Sequence, residues 1–258
     1  MTGTSRLLRA DGRMTVAVAT TGATEQDCLD QARRACEAGA DLVELRADLL
    51  DGEPDAGRTA RLAARLGADC APVPVLLTVR SCAEGGAAEL EGRAWSEHLA
   101  RVLDALDSLD EAGTAGRPAA VDVEIERPGA AGLVDLAHRA GLEVVLSFHD
   151  VAATPPDEAL HELLERMSRL GADLAKIAVM PAGPADVARL LGVTATAHEA
   201  REVPLATMAM GEAGAVSRLA AGVFGSRLVF ATAGGAPSAP GQPPIEDLRH
   251  AMALLGTP

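Results

Sequence analysis

Lysine is nearly absent from this chain. Of 258 residues, 23 are basic, and all of these are arginine except Lys176; 37 acidic residues leave a formal charge of −14. Such a deficit of positive charge argues against a general nucleic-acid binder, which needs basic patches to displace counterions from phosphates. No apolar run approaches the roughly 18–20 residues of a membrane span. Residues 1–14 hold arginines but no apolar h-region, so no secretory signal is expected. Cys28, Cys36, Cys70 and Cys82 form no CxxC pair and show no metal-ligand spacing, which reads as a reduced, cytoplasmic chain. What is present is a 48% hydrophobic composition, enough for a substantial core. With no Pro/Ser-rich linker or sharp shift in composition, one domain over residues 1–258 is expected.

The scarcity of lysine bears on chemistry. Surface charge and salt bridges are served well by arginine. Arginine does not lose its proton near neutral pH, so it cannot attack a carbonyl as an amine. Lys176 is therefore either a remnant of a composition biased to alanine and arginine or an amine kept for a reaction. Its surroundings decide between the two.

Short apolar, β-branched runs occur at 15–19, 42–45, 75–79, 120–125, 143–148, 174–179, 204–208 and 228–231. Between them lie amphipathic, alanine-rich segments that predict helices at about 24–38, 55–68, 93–110, 129–140, 156–170, 183–200, 214–222 and 244–255. Thr24 precedes Glu25 and Asp27 as a capping residue would, and Gly39, Gly67, Gly141 and Gly171 sit where left-handed helix ends are expected. Eight β–α pairs in this length predict an α/β (β/α)8 TIM barrel. A doubly wound dinucleotide-binding sheet would show GxGxxG after its first strand; ThrThrGlyAlaThr (20–24) is not that fingerprint. Residues 1–13, with an Asp11-Gly12 turn, are expected to form a short hairpin closing the barrel floor.

Residues two apart on a strand face the same way, and barrel chemistry collects at the C-terminal strand ends. Glu44, Arg46 and Asp48 share one such face, as do Thr78 and Arg80, with Glu84 in the loop beyond. Asp122, Glu124 and Glu126 are expected together, as part of a site or as ion pairs with arginines across the barrel. Ser147 aligns with His149, and Lys176 lies between apolar neighbours, with Arg46, Arg80 and Arg218 as the nearby charges expected. His98, His138, His161, His198 and His250 fall on helices or their ends and are read as structural. Convergence of polar groups from six strands on one rim is what an active site requires.

Seven segments, in order, carry a resemblance: GluLeuArgAlaAsp (44–48), ArgSerCysAlaGluGlyGly (80–86), SerPheHisAsp (147–150), AspLeuAlaLysIleAlaValMet (173–180), MetAlaMetGlyGluAlaGlyAlaValSerArg (208–218), PheGlySer (224–226) and SerAlaProGlyGln (238–242). Together the chain resembles the type I 3-dehydroquinate dehydratases, shikimate-pathway lyases that work through a lysine Schiff base, without metal or cofactor. The resemblance implies that Lys176 condenses with the ketone of 3-dehydroquinate, that His149 is the general acid/base and that Glu84 orients it. It further implies that Arg218 clamps the substrate carboxylate, that Glu44, Arg46, Arg80, Ser238 and Gln242 contact its hydroxyls or carboxylate, and that Met208 and Met210 pack on the ring. A homodimer is implied as well. Three places depart from the pattern. Ala19-Thr20-Thr21 stands where a small polar residue is usual, Val151 where Phe is common, and the segment before Ser238 lacks basic residues and carries Gly234 and Gly235, suggesting a mobile loop. The other readings are a class I Schiff-base aldolase, whose phosphate site the loops after the last two strands do not suggest, and a silent homologue that senses a shikimate-type acid. A binding module has no use for an amine nucleophile.

Overall fold

The computed structural model describes residues 5–111, 116–200 and 203–256. The alternation read from the sequence becomes β1 (Thr15–Ala19), α1 (Glu25–Glu37), β2 (Leu42–Arg46), α2 (Ala56–Asp69), β3 (Val75–Thr78), α3 (Arg93–Glu111), β4 (Ala120–Glu124), α4 (Ala130–Arg139), β5 (Glu143–Asp150), α5 (Asp157–Arg169), β6 (Leu174–Val179), α6 (Pro184–Ala200), β7 (Leu205–Ala209), α7 (Ala215–Ala220), β8 (Leu228–Ala231) and α8 (Ile245–Leu254). Thr24 Oγ1 accepts the Asp27 amide, and the Asp55 carboxylate accepts that of Arg58, so two early helices begin at side-chain caps.

The strands pair in parallel in the order β7-β6-β5-β4-β3-β2-β1-β8, an almost closed (β/α)8 barrel. The remaining seam, between β7 and β8, is held differently. Arg227 donates its amide to Leu205 O at 2.7 Å, and Ser226 Oγ accepts the Thr207 amide at 3.3 Å in place of a second ladder bond. Inward-pointing residues stack in layers. Ala17, Leu42, Leu76, Ala120, Val145, Leu174, Ala206 and Leu228 form an apolar floor. Two residues further along β2 to β6, the layer becomes polar with Glu44, Thr78, Asp122, Ser147 and Lys176, while β7 and β8 contribute Met208 and Phe230. Outward-facing residues such as Val43, Leu77, Val121, Leu146 and Ile177 meet the buried faces of the helices in the main core.

Three expectations need correction. Residues 5–13 contain no strand, and residues 1–4 of the expected hairpin lie outside the described residues. The floor is closed instead by Leu7 and Leu8, which insert into the apolar layer, while the Glu143 carboxylate accepts Ser5 Oγ and the amides of Arg6 and Leu7. Gly67 lies inside α2, not past its end; a side chain there would collide with the backbone of Arg117, so it is a close-approach glycine. Gly39, Gly141 and Gly171 do adopt positive φ after their helices. Finally, β4 ends at Glu124, and Glu126 turns outward to pair with Arg166 at the surface.

Leu7 is 1% exposed and packs in the apolar floor. Leu7→Ala is expected to cost about 2–5 kcal/mol of stability, the range for truncating a well-packed leucine. Urea unfolding midpoints of the two proteins check this; an unchanged midpoint would mean that the segment does not plug the barrel.

Candidate active site

A cavity of about 270 Å³ opens at the C-terminal end of the barrel. All eleven residues that the sequence singled out for catalysis or substrate contact line it. Lys176, from β6, is 5% exposed, and its Nζ lies 4.6 Å from the ring centroid of Phe230. The arginines expected around this amine are not its nearest charges. Asp122 Oδ2 is 3.3 Å away and Glu44 Oε1 3.7 Å. Arg46 turns instead to Asp48, and Arg80, just beyond β3, shares Asp122 Oδ2 with Lys176.

His149 stands beside Lys176 on β5, which pairs Ser147 opposite Lys176 and His149 opposite Ala178. Its Nδ1 is 2.8 Å from Glu84 Oε2. Gly85, at φ +79°, ends the short 3-10 turn that carries Glu84, so a left-handed glycine aims this carboxylate inward. Burial, with Arg80, Lys176 and Arg46 adding to it, holds the imidazole well below its ordinary value of 6.5. Burial also pushes the Glu84 carboxyl up to about 8, against the pull of Arg80.

Arg80 lines the cavity but is engaged within the protein. Its Nη2 donates to Asp122 at 2.7 Å, and its Nη1 faces Ser147, Glu124 and Glu84 at 2.9, 3.1 and 3.3 Å. Arg127, which the sequence reading did not single out, completes the far side by holding Glu124 and Ser81. Asp122 and Glu124 thus form ion pairs with arginines, Asp122 with Arg80 and Glu124 with Arg80 and Arg127. Arg46 grips Asp48 through Nε and Nη2 at 2.8 and 2.7 Å and reaches Ser238 O at 3.4 Å.

Arg218 differs from both. Its residue is 0% exposed, yet among the described residues no carboxylate pairs with it. Nη1 meets Met208 Sδ at 3.3 Å, Nη2 meets Pro240 O at 3.3 Å and Nε has no partner. Burial alone lowers this guanidinium to about 10. A buried, uncompensated cation on a cavity wall is a site for an anion.

Met208 and Met210 form an apolar wall with Phe230 and Met180. Ser238 and Gln242 cover the opening and bond each other, Gln242 Nε2 donating to Ser238 Oγ at 3.0 Å. This loop is docked: Gly211 donates its amide to Pro240 O at 3.2 Å. No residue of β1 lines the cavity, so Ala19 opens no gap in it, while Val151 stands at the rim. None of the other five histidines lines it either. A larger opening of about 490 Å³ between segments 47–55 and 87–90 contains none of the three catalytic candidates. Phe230 was missed by the sequence reading, although its position two residues after the floor residue Leu228 marks it as inward-facing.

Fold and site together define a (β/α)8 barrel enzyme with a buried amine and imidazole in its C-terminal mouth. More narrowly, the chain belongs to the type I 3-dehydroquinase family, whose family model matches residues 16–257. It is 39% identical over 248 residues to a 3-dehydroquinate dehydratase from Klebsiella pneumoniae (strain 342), covering 95% of this chain and 94% of that one. The crystal structure of the 3-dehydroquinate dehydratase from Geobacillus kaustophilus HTA426 superposes with a TM-score of 0.83 at 33% identity, over 95% of this chain and 91% of that one. A type I enzyme from Clostridium difficile, solved with covalent modified comenic acid, gives 0.81 at 31% identity over 95% and 92%. Among the described residues, no helix is long and apolar enough to cross a membrane.

Proposed function

We propose that this chain converts 3-dehydroquinate to 3-dehydroshikimate and water through an imine on Lys176. The observation that carries the reading is the meeting of three groups in one small cavity: a buried amine, an imidazole held by the Glu84 carboxyl and an arginine with no counter-ion among the described residues. Arg218 receives the substrate carboxylate and sets the ring against Met208 and Met210. Glu44, Arg46, Ser238 and Gln242 offer the remaining polar contacts, while Arg80, held by Asp122, Glu124 and Glu84, lines the wall beside them.

Lys176 Nζ, as the free amine, attacks the ketone carbon and passes a proton to its oxygen; the carbinolamine takes up one further proton from solvent and loses that oxygen as water, leaving a protonated imine, and the proton is returned on hydrolysis. That imine withdraws electrons from the adjacent carbon, lowering the barrier to removing its proton. With its Nδ1–H donated to a Glu84 oxygen, which a neutral carboxyl offers as well as a carboxylate, His149 presents the Nε2 lone pair that takes the proton and leaves an enamine. The enamine expels the β-hydroxyl, which receives the same proton from the imidazolium and leaves as water. Hydrolysis of the conjugated imine frees the enone and restores the amine. The covalent modified comenic acid in the Clostridium difficile relative is consistent with covalent chemistry in this family. The reading extends to a cytoplasmic homodimer, from the family resemblance and from four cysteines that form no disulfide.

The pH profile of enone formation tests the role of His149. The general base must be neutral, and protonation silences it. Because the imidazole is held well below 6.5, its protonation requires more acid than usual. The acid limb of kcat/KM is therefore expected below pH 6.5, with no inflection at that value. A limb at or above 6.5 that His149→Ala removes would contradict the buried, neutral imidazole.

A further inference from the structure

Asp122 sits in the polar layer of the barrel, 1% exposed, with both of its carboxylate oxygens engaged. Ser147 Oγ donates to Oδ1 at 2.6 Å; Arg80 Nη2 and Lys176 Nζ donate to Oδ2 at 2.7 and 3.3 Å. The other carboxylate near the amine is less well placed, because Glu44 Oε1 is 3.7 Å from Nζ and already accepts Thr78 Oγ1 at 2.8 Å. We propose that Asp122 is a further catalytic residue, the fixed counter-ion of the cation that forms on Lys176 Nζ when the substrate carbonyl becomes a protonated imine. This rests on the imine reading above.

The argument is electrostatic. During the reaction the positive charge on Nζ disappears when the free amine attacks and returns when the imine forms. Only the cationic imine is an effective electron sink. In a buried site, a preoriented negative charge favours the cation over the neutral imine without reorganisation at the moment of reaction. Ser147 and Arg80 keep the carboxylate in place throughout, so it does not follow the proton. The imine proton stays on Nζ, donated to Oδ2, and no bond to Asp122 forms or breaks.

The same contacts keep Asp122 a poor base. Burial would raise its carboxyl, but Arg80, Lys176 and Ser147 together hold it below its ordinary value. His149 in the same cavity is held neutral and is free to accept a proton. The two groups thus have separate tasks set by their surroundings, one a charge and the other a base. The ionisable groups facing Nζ are Asp122 from β4, Glu44 from β2, Arg80 beyond β3 and His149 from β5; Glu84 and Glu124 reach it only through His149 and Arg80.

Cyanoborohydride reduces a protonated imine far faster than a neutral one, so trapping followed against pH reads the charge on Nζ. With 3-dehydroquinate, Asp122→Asn is expected to move the pH of half-maximal trapping down by about one to two units, as loss of a close counter-ion does. Its kcat is expected to fall about 10²-fold with KM within about threefold. An unchanged trapping profile and unchanged kcat per folded molecule would overturn the proposal. A wild-type protein that is never trapped would instead remove the imine reading itself. If the variant fails to fold, wild-type protein labelled with ¹⁵N-lysine serves, because it gives a single side-chain signal. Scalar coupling across the hydrogen bond from that Nζ to an aspartate carboxyl carbon is expected. Coupling to a glutamate carboxyl instead, or none, overturns the assignment.

Discussion

Lys176→Arg is expected to lower turnover of 3-dehydroquinate by about 10⁴-fold or more while leaving the protein folded. A loss of that size is about 5 kcal/mol of barrier, and it comes from one atom type. The guanidinium keeps the positive charge beside Asp122 and Glu44 and can lie over the ring of Phe230, so the contacts of the buried side chain persist. It cannot become the free amine that an imine requires. Enone absorbance measures the loss, and a thermal melt shows whether the barrel survives. Activity within tenfold of wild type would mean that Lys176 contributes only charge.

The second large effect has two opposite parts. Arg218→Met is expected to reduce kcat/KM by about 10²–10³-fold, mostly through KM, because a charge-assisted bidentate contact to a carboxylate is lost. In the absence of substrate the same change is expected to leave stability unchanged or to raise it by about 1–3 kcal/mol. A cation removed from water normally recovers the cost through a paired carboxylate, and among the described residues Arg218 has only a thioether and a carbonyl oxygen as partners. Methionine would pack against Met208 without that cost. Melting temperatures without substrate and KM values with it separate the two parts. A destabilised variant with unchanged KM would show that Arg218 braces the lid rather than holding the substrate.

These expectations follow from a site whose components were largely legible in the sequence and whose pairings were not. Period-two alternation at strand ends is a local property, so Glu44, Arg46, Arg80, His149 and Lys176 could each be placed on the rim from their own strands. Which charge meets which depends on the register between strands. Leu76 pairs with Ala120, and this alignment carries Arg80 beside Asp122 and Glu124, where it is consumed by carboxylates. No pattern within either strand encodes that alignment. For the same reason the sequence surrounded Lys176 with arginines, whereas the barrel surrounds it with Asp122 and Glu44. Alternation alone carries Glu126 onto the same face, but β4 ends at Glu124 and the chain turns at Ile125-Glu126, where Arg127 donates its amide to Glu124 O. Gly67 resembles a helix end in sequence, because a glycine required by a distant backbone looks the same there as one required by its own φ. The floor was legible as a function and not as a structure: two leucines close it without any strand pairing.

The central claim, that the amine of Lys176 becomes covalently joined to the substrate, has a direct test. The chain contains one lysine, so its side chain and the N-terminus are the only amines. Protein incubated with 3-dehydroquinate and reduced with borohydride should gain the mass of one reduced substrate or product adduct, and peptide mapping should place it on Lys176. Full turnover with no mass gain under reducing conditions, or an adduct only at the N-terminus, would contradict the account.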